Sequence, residues 1–277
     1  MDPVASDGLR ARPGRIWTVE KLTYLQNYAS AFTTAMRGKW ERLVYIDLLA
    51  GPGRDIDLEG NKEFDGSPLI ALNIRPAFDY CFFGDKDKRN VDILKKRIAA
   101  SDRKRVSVEV GDCNVLVDNV VKQLSQKTLG LAFVDPEGFE VDFRTLRILA
   151  KRRIDVLYWF PSGIAIRRNL KNFRTLKDSP MERFWGRDWR QLPIAKWAAG
   201  EIVPDEKIEK SIVAEFLKDV AKAGFDFRDE WALPFANTRN AQMYHLLFFS
   251  HDKLALKIWK SVKKIAPGGQ RTFSGMT

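Results

Sequence analysis

The sequence predicts an α/β protein built on a doubly wound, mostly parallel sheet. Three observations predict it. Five apolar, strand-like runs between residues 43 and 160 alternate with amphipathic helical stretches. Four of those runs close on a carboxylate: Asp47, Asp85, Asp112 and Asp135. The first run, LVYIDLLAGPGR from Leu43 to Arg54, ends in a tight turn containing Gly51, Pro52 and Gly53. Ligands of open α/β sheets bind in the crevice at the carboxyl ends of the strands. Acids and glycines gathered on that edge therefore mark a site.

Each element has its own warrant. Residues 1–16 hold Arg10, Arg12 and Arg15 among Gly and Pro and read as a loose basic arm. Thr18 is the expected N-cap of a helix to about Met36, with Leu22, Leu25, Ala29, Phe32 and Met36 on one stripe. The first strand follows, carrying β-branched Val44 and Ile46. After its glycine turn comes a polar loop, RDIDLEGNKEFDG, and then a helix opened by Ser67-Pro68. The second strand is Tyr80 to Gly84, closing on Asp85; the helix after it buries Val91, Leu94 and Ile98. The third, RVSVEV, closes on Gly111-Asp112, and its helix uses Leu116, Val120 and Leu124. The fourth, Leu129 to Val134, closes on Asp135-Pro136-Glu137-Gly138, and Asp142 caps the next helix. The fifth, Ile154 to Phe160, closes on Pro161-Ser162-Gly163. Residues 165–204 break the alternation with an Arg/Trp-rich insert. A helix from about Asp205, two late strands joined by NTRN as an antiparallel pair, and a helix from His251 complete one domain over 17–265; a basic tail, 266–277, follows.

Composition narrows the function. The chain has 277 residues, 45% hydrophobic and 30% charged, as soluble globular proteins do. No apolar run reaches the roughly 18 residues that span a bilayer, and the N-terminus lacks a signal peptide's apolar core. The expectation is a cytoplasmic protein with no membrane contact. Two Cys and two His spell out no zinc spacing, and Cys81 and Cys113 are expected to be reduced. The net charge of +11 points to an acidic partner, DNA or RNA first; the alternative is a basic surface without that role.

Two glycines at a strand end let an extended ligand lie on the backbone. A carboxylate such as Asp85 suits a vicinal diol because it accepts two hydrogen bonds at once. The expected ligand is a nucleotide-type cofactor, with S-adenosylmethionine (SAM) the best candidate. The competing structural roles are plain: Asp47 bracing its own loop, and Asp112 capping the helix behind it.

A five-strand parallel core with a late antiparallel pair resembles the class I methyltransferases. That resemblance implies that Asp47, Ala50, Gly51, Pro52 and Gly53 form the motif that holds the methionine part of SAM. It implies Asp85 as the ribose acid, and Asp112 with Cys113 at the adenine. Asp85 lies beyond the usual spacing of about 20 residues because the polar loop intervenes, which makes the loop a candidate lid. Asp135, Pro136, Glu137 and Phe139 stand where amino-methyltransferases often carry D/N-P-P-Y. There the carboxylate and the proline carbonyl accept hydrogen bonds from a target NH2, and the aromatic stacks on the base. Here Glu137 replaces the second proline and Gly138 displaces the aromatic, so a plain strand-end turn is the alternative and the base stays open between Asp135 and Glu137. In the insert, Arg167, Arg168, Lys171, Arg174, Arg187 and Arg190 suit phosphates, and Trp185 and Trp189 suit unpaired bases. The other reading makes Trp185, Trp189 and Trp197 local core and the arginines a solvated face.

Several blocks taken together are more specific. YIDLLAGPGR, GSPLIALNI, GDCN, LAFVDPEGF, IDVLYWFPSG, W-x-x-x-K at Trp17 to Lys21 and YHLLFFS resemble the three-Cys-motif partner protein family (TcmP), from about Trp17 to Arg271. The resemblance implies a methyltransferase-like protein, a three-cysteine-motif partner of radical-SAM type, and a nucleic-acid-directed role. Two other functions remain as alternatives. One is a non-catalytic nucleic-acid-binding partner that keeps the fold. The other is a metal-dependent nuclease or hydrolase using Asp47, Asp135 and Glu137.

Overall fold

The structure is a computed structural model that describes residues 2–57, 59, 62–162, 173, 179–199, 201, 207–236 and 242–264. Its centre is the first apolar run. Leu43, Val44, Tyr45 and Ile46 of β2 (Arg42–Asp47) are buried on both faces, as central parallel strands are. β5 (Tyr80–Asp85) pairs with β2 in parallel on one side, and β6 (Val106–Val110) lies outside it. β7 (Thr128–Val134) pairs with β2 in parallel on the other side, followed by β8 (Ile154–Phe160). The chain thus steps outward from β2 to β6, then crosses back to β7. The carboxyl ends of β2 and β7 flank the topological switch point, where such sheets take their ligands. β11 (Gln242–Ser250) adds antiparallel to β8, and β10 (Leu233–Ala236) and β9 (Phe227–Arg228) pair antiparallel with β11. This is the doubly wound, Rossmann-like sheet with a late antiparallel pair that the sequence predicts.

Helices cover both faces of the sheet. α1 (Ile16–Met36), α2 (Ser67–Asn73), α3 (Lys88–Arg97) and α9 (Lys253–Val262) bury apolar residues on one face. α4 (Cys113–Lys122), α5 (Phe143–Leu149), α6 (Pro180–Trp185), α7 (Pro193–Ala198) and α8 (Lys207–Lys222) do so on the other. α1 matters most for the site, and a buried polar tie fixes it. Tyr28 Oη donates to Asp155 Oδ2 at 2.8 Å, and Ser250 Oγ donates to Asp155 Oδ1 at 2.5 Å. A buried carboxylate must be paired or hydrogen-bonded, so Asp155 locks α1, β8 and β11 together. No helix among the described residues is long and apolar enough to cross a membrane.

Three local expectations need correction. Thr18 is not the N-cap of α1 but sits at its third position, where its hydroxyl accepts from the N–H of the capping residue, Arg15. The polar loop after the glycine turn is not irregular: β3 (Arg54–Asp57) and β4 (Lys62–Asp65) form a hairpin. The arm is not loose. Its β1 (Arg12–Gly14) pairs in parallel with β3, making a second, three-stranded sheet. Charge explains the docking. Ser6 N donates to Glu63 Oε2 at 2.6 Å, and the Arg97 guanidinium meets Asp7 at 2.8 Å, holding that carboxyl down at about 2.

Candidate active site

A cleft of about 510 Å3 opens at the switch point, within the roughly 300–1,000 Å3 range of ligand pockets. Gly51 and Pro52 of the glycine turn, Asp85 at the end of β5 and Asp87 after it, and Asp135, Pro136 and Glu137 after β7 all line it. The turn bends back because Gly51 and Gly53 take φ of +63° and +91°, which only glycine adopts without strain. Residues from three separate strand-helix junctions thereby meet.

The acids at this edge do different jobs. Asp85 Oδ2 accepts from Gly51 N at 2.9 Å and its Oδ1 accepts from Asp87 N at 2.8 Å, so it stitches the turn to β5 while facing the cleft. Asp47 is fully buried behind the turn. It accepts from Ser67 Oγ at 2.6 Å and Leu49 N at 3.2 Å, and burial lifts its carboxyl to about 7. It thus braces the loop, and it is not among the residues that line the cleft. Ala50 is buried, and a side chain on Gly53 would press within 2.9 Å of Leu94, so both serve packing. Asp112 caps α4 by accepting from Asn114 N at 2.7 Å, as its competing reading held. Asp112 and Cys113 also line a neighbouring hollow of about 390 Å3 that shares Leu49, Lys86 and Glu140 with the cleft. Burial pushes the Cys113 thiol up to about 12, so it is a protonated wall, not a thiolate.

Asp135 is the least expected. Lys21 Nζ of α1 lies 2.6 Å from its Oδ2, and Arg12 Nη2 of the arm lies 3.5 Å from the same oxygen. Both Lys21 and Asp135 are almost wholly buried. Arg12 also reaches Asp55 Oδ1 at 3.1 Å and rests against Gly51. Glu137, by contrast, is exposed at the cleft and has no ion-pair partner among the described residues. Phe139, expected to stack on a base, packs edge-on against Phe173 and Phe184, with centroids 5.4 and 5.0 Å away. The aromatic wall is supplied instead by Trp17, Trp159 and Tyr244. Trp159 and Tyr244 stack at 4.9 Å, and Lys21 Nζ lies 4.9 Å from the Trp159 ring. These residues and Lys21 were not among the expected site residues, although W-x-x-x-K marked two of them.

The insert is corrected as well. Trp185 and Trp189 are fully buried, with Nε1 donating to Asp219 and Ser179. Their ring faces are closed to bases, so the local-core reading describes them. Arg187 pairs with Asp219 and Glu215, and Arg190 with Glu182 and Asp188. Arg167, Arg168, Lys171 and Arg174 lie outside the described residues.

A glycine turn and strand-end acids converging on the switch point of such a sheet define a Rossmann-like protein with a ligand-sized cleft at the carboxyl edge. Solved structures resemble the chain at low sequence identity. Protein LPL1258 from Legionella pneumophila, of family-model DUF519, is 12% identical with a TM-score of 0.52, over 92% of this chain and 95% of that one. An O-methyltransferase from Bacillus cereus in complex with SAH is 12% identical with a TM-score of 0.44, over 83% of this chain and 80% of that one. The SAH-bound N-terminal domain of EvdMO1 is 14% identical with a TM-score of 0.40, over 81% and 80%. No protein-family model matches the chain, and no curated protein does.

Proposed function

We propose that the chain is a SAM-dependent methyltransferase acting on an amino group of DNA or RNA, beside a three-cysteine-motif partner of radical-SAM type as the TcmP resemblance implies. The observation that carries this reading is the convergence of Gly51-Pro52, Asp85 and Asp135-Pro136-Glu137 on one cleft. The residues present fit the cofactor. At Gly51 the atoms nearest to where a side chain would begin are those of the Arg12 guanidinium, 3.9 Å away, a cation beside the bare backbone, and Asn90, on the same cleft, has a buried Oδ1 without a partner among the described residues. Gly51, Asp85 and Asn90 would hold SAM, which supplies an electrophilic methyl group.

The chain's own residues then position and deprotonate the acceptor. Methyl transfer asks mainly for proximity and alignment. Trp17 and Tyr244 offer aromatic surface for a target base. Asp135 is occupied by Lys21 and Arg12, so Glu137 is the carboxylate free to take a proton. A described basic surface supports a nucleic-acid substrate. Trp231 is 78% exposed, and Lys263, just past the neighbouring α9, pairs with buried Asp229 and donates from Nζ to the Trp231 carbonyl at 2.7 Å. Lys253, Lys257 and Lys260 along that helix and Lys264 beyond its end are exposed as well, an aromatic-and-cation surface of the kind that binds single strands.

Calorimetry with SAM and labelled-methyl transfer to DNA and RNA test the proposal. The expected result is SAM binding, and methyl transfer lost in Glu137→Gln with SAM affinity kept. Absence of SAM binding, alone or with the partner, overturns it. One observation favours a second reading, a non-catalytic partner: the ion pairs on Asp135 close the position at which D-P-P-Y proteins receive the amino group. SAM binding without transfer to any nucleic acid would select it. The hydrolase alternative asks Asp47 to face the cleft, and Asp47 is buried on Ser67.

A further inference from the structure

β6 ends the large sheet. It pairs in parallel with β5 on its inner side, and no described strand lies on its outer side. Residues of a parallel ladder turn their N–H and C=O alternately to one neighbour and the other. Gly111 N donates inward to Asp85 O at 3.0 Å, so Ser107 and Glu109 share the inward register. The backbone groups of Val106, Val108 and Val110 therefore face the open side.

The ground beside that edge is apolar with a basic rim. Val106, Val108 and Ile98 form a groove of about 440 Å3 with Lys95, Lys96 and Arg103. The three cations are exposed. The acids nearest in sequence are already taken, Asp92 by Lys88 and Asp102 by Arg105. Native edges are usually blunted by charge, and like charges deter self-pairing. Two copies meeting edge to edge would bring their basic rims together. An extended segment with acidic residues at alternate positions faces no such penalty: its backbone completes the ladder and its carboxylates meet the lysines and the arginine.

We propose that the β6 edge and its basic groove dock an acidic, extended segment of a partner protein, which joins the sheet as an added strand. The inference is independent of the methyltransferase reading, because β6 does not line the cleft.

Fluorescence anisotropy with a labelled seven-residue peptide of alternating Val and Glu tests it, against the same peptide with Lys in place of Glu. The Glu peptide should bind at least about tenfold more tightly at low salt. Val108→Pro removes one outward N–H and no inner ladder bond, and should weaken that binding about tenfold. The triple change Lys95→Glu, Lys96→Glu, Arg103→Glu should reverse the preference, and it keeps the test intact should the proline variant not fold. Circular dichroism and urea unfolding report that the variants remain native. Equal affinity for the two peptides, no measurable binding of either, or indifference to both variants overturns the proposal. So does a single-stranded oligonucleotide that binds in place of the peptide and is lost in the triple variant, or a dimer abolished by Val108→Pro.

Discussion

Lys21→Met isolates the contact on which the candidate active site turns. Lys21 and Asp135 are 6% and 7% exposed, with Nζ and Oδ2 2.6 Å apart. Methionine keeps most of the stem and still packs on Trp159, so the change removes charge more than volume. Breaking a buried pair from one side costs about 3–5 kcal/mol, because the remaining charge is left uncompensated. Arg12 stays 3.5 Å from the same oxygen and offsets part of that. The expected loss is therefore about 3 kcal/mol, or a melting temperature lower by about 6–12 °C in a chain of this size. Adding Asp135→Asn removes the orphaned charge and should return stability to within about 1 kcal/mol of the native protein. Urea unfolding of the native protein, the two single variants and the double variant measures the cycle. A loss below about 1 kcal/mol in Lys21→Met, or a double variant as unstable as that single one, would refute the reasoning.

Three further outcomes follow from the buried groups. Asp47 is lifted from 3.8 to about 7, first by burial, so the fold prefers its protonated form and stability falls as pH rises from about 4 through 7. At about 1.4 kcal/mol per unit the full effect is at most ~4 kcal/mol; Asp47→Asn should match the native protein near pH 4 and exceed it at pH 8 in urea unfolding, and parallel profiles would exclude this. His245, whose Nδ1 lies 2.5 Å from Ser162 Oγ, is lowered from 6.5 to about 4 by burial and then by Lys210. Its contribution is complete above pH 6.5 and is lost as pH falls towards 4, by up to ~3 kcal/mol; His245→Asn should flatten that limb, and an unchanged limb assigns it to another group. Trp185→Phe removes the indole donor to Asp219 and should cost about 2 kcal/mol while leaving oligonucleotide affinity unchanged. Weaker oligonucleotide binding at full stability would restore the stacking role.

What could be read from the sequence was what local pattern controls. Apolar runs such as LVYIDL and LGLAFV are buried on both faces and fall in the strand order that places Gly51, Asp85 and Asp135 on one edge. Asp112 caps α4 through its side chain, whereas Asp142 stands at the N-cap of α5 without a side-chain cap hydrogen bond. What could not be read were pairings set by tertiary packing. Lys21 and Asp135 are 114 residues apart, and nothing in W-x-x-x-K names its partner. The arm looked loose because glycine, proline and arginine carry no periodic signal, yet acids on the hairpin and at the strand ends hold it as β1. Trp185 and Trp189 were ambiguous for a general reason: tryptophan serves equally well as a stacking plate or as core, and only Asp219 and Ser179 beside the indole N–H groups decide.

The departure of Asp135-Pro136-Glu137 from D-P-P-Y and the docking of the arm bear on one another. Were Asp135 the acceptor for a target amino group, a lysine 2.6 Å away would compete for the same oxygen in a site nearly closed to water. An arginine threaded onto the glycine turn would compete as well. Two cations around one carboxylate make Asp135 a post that ties the arm, α1 and the end of β7 together. With that post in place, a proton acceptor has to come from the next position that faces the cleft. That position holds Glu137, an exposed carboxylate where the related motif has a proline that can take no proton. On the proposed methyltransferase reading, the substitution that weakens the match to the motif is the one that supplies the base. Glu137→Gln should abolish methyl transfer while SAM affinity and the Lys21–Asp135 coupling stay as they are, and retention of transfer in that variant would return the role to Asp135.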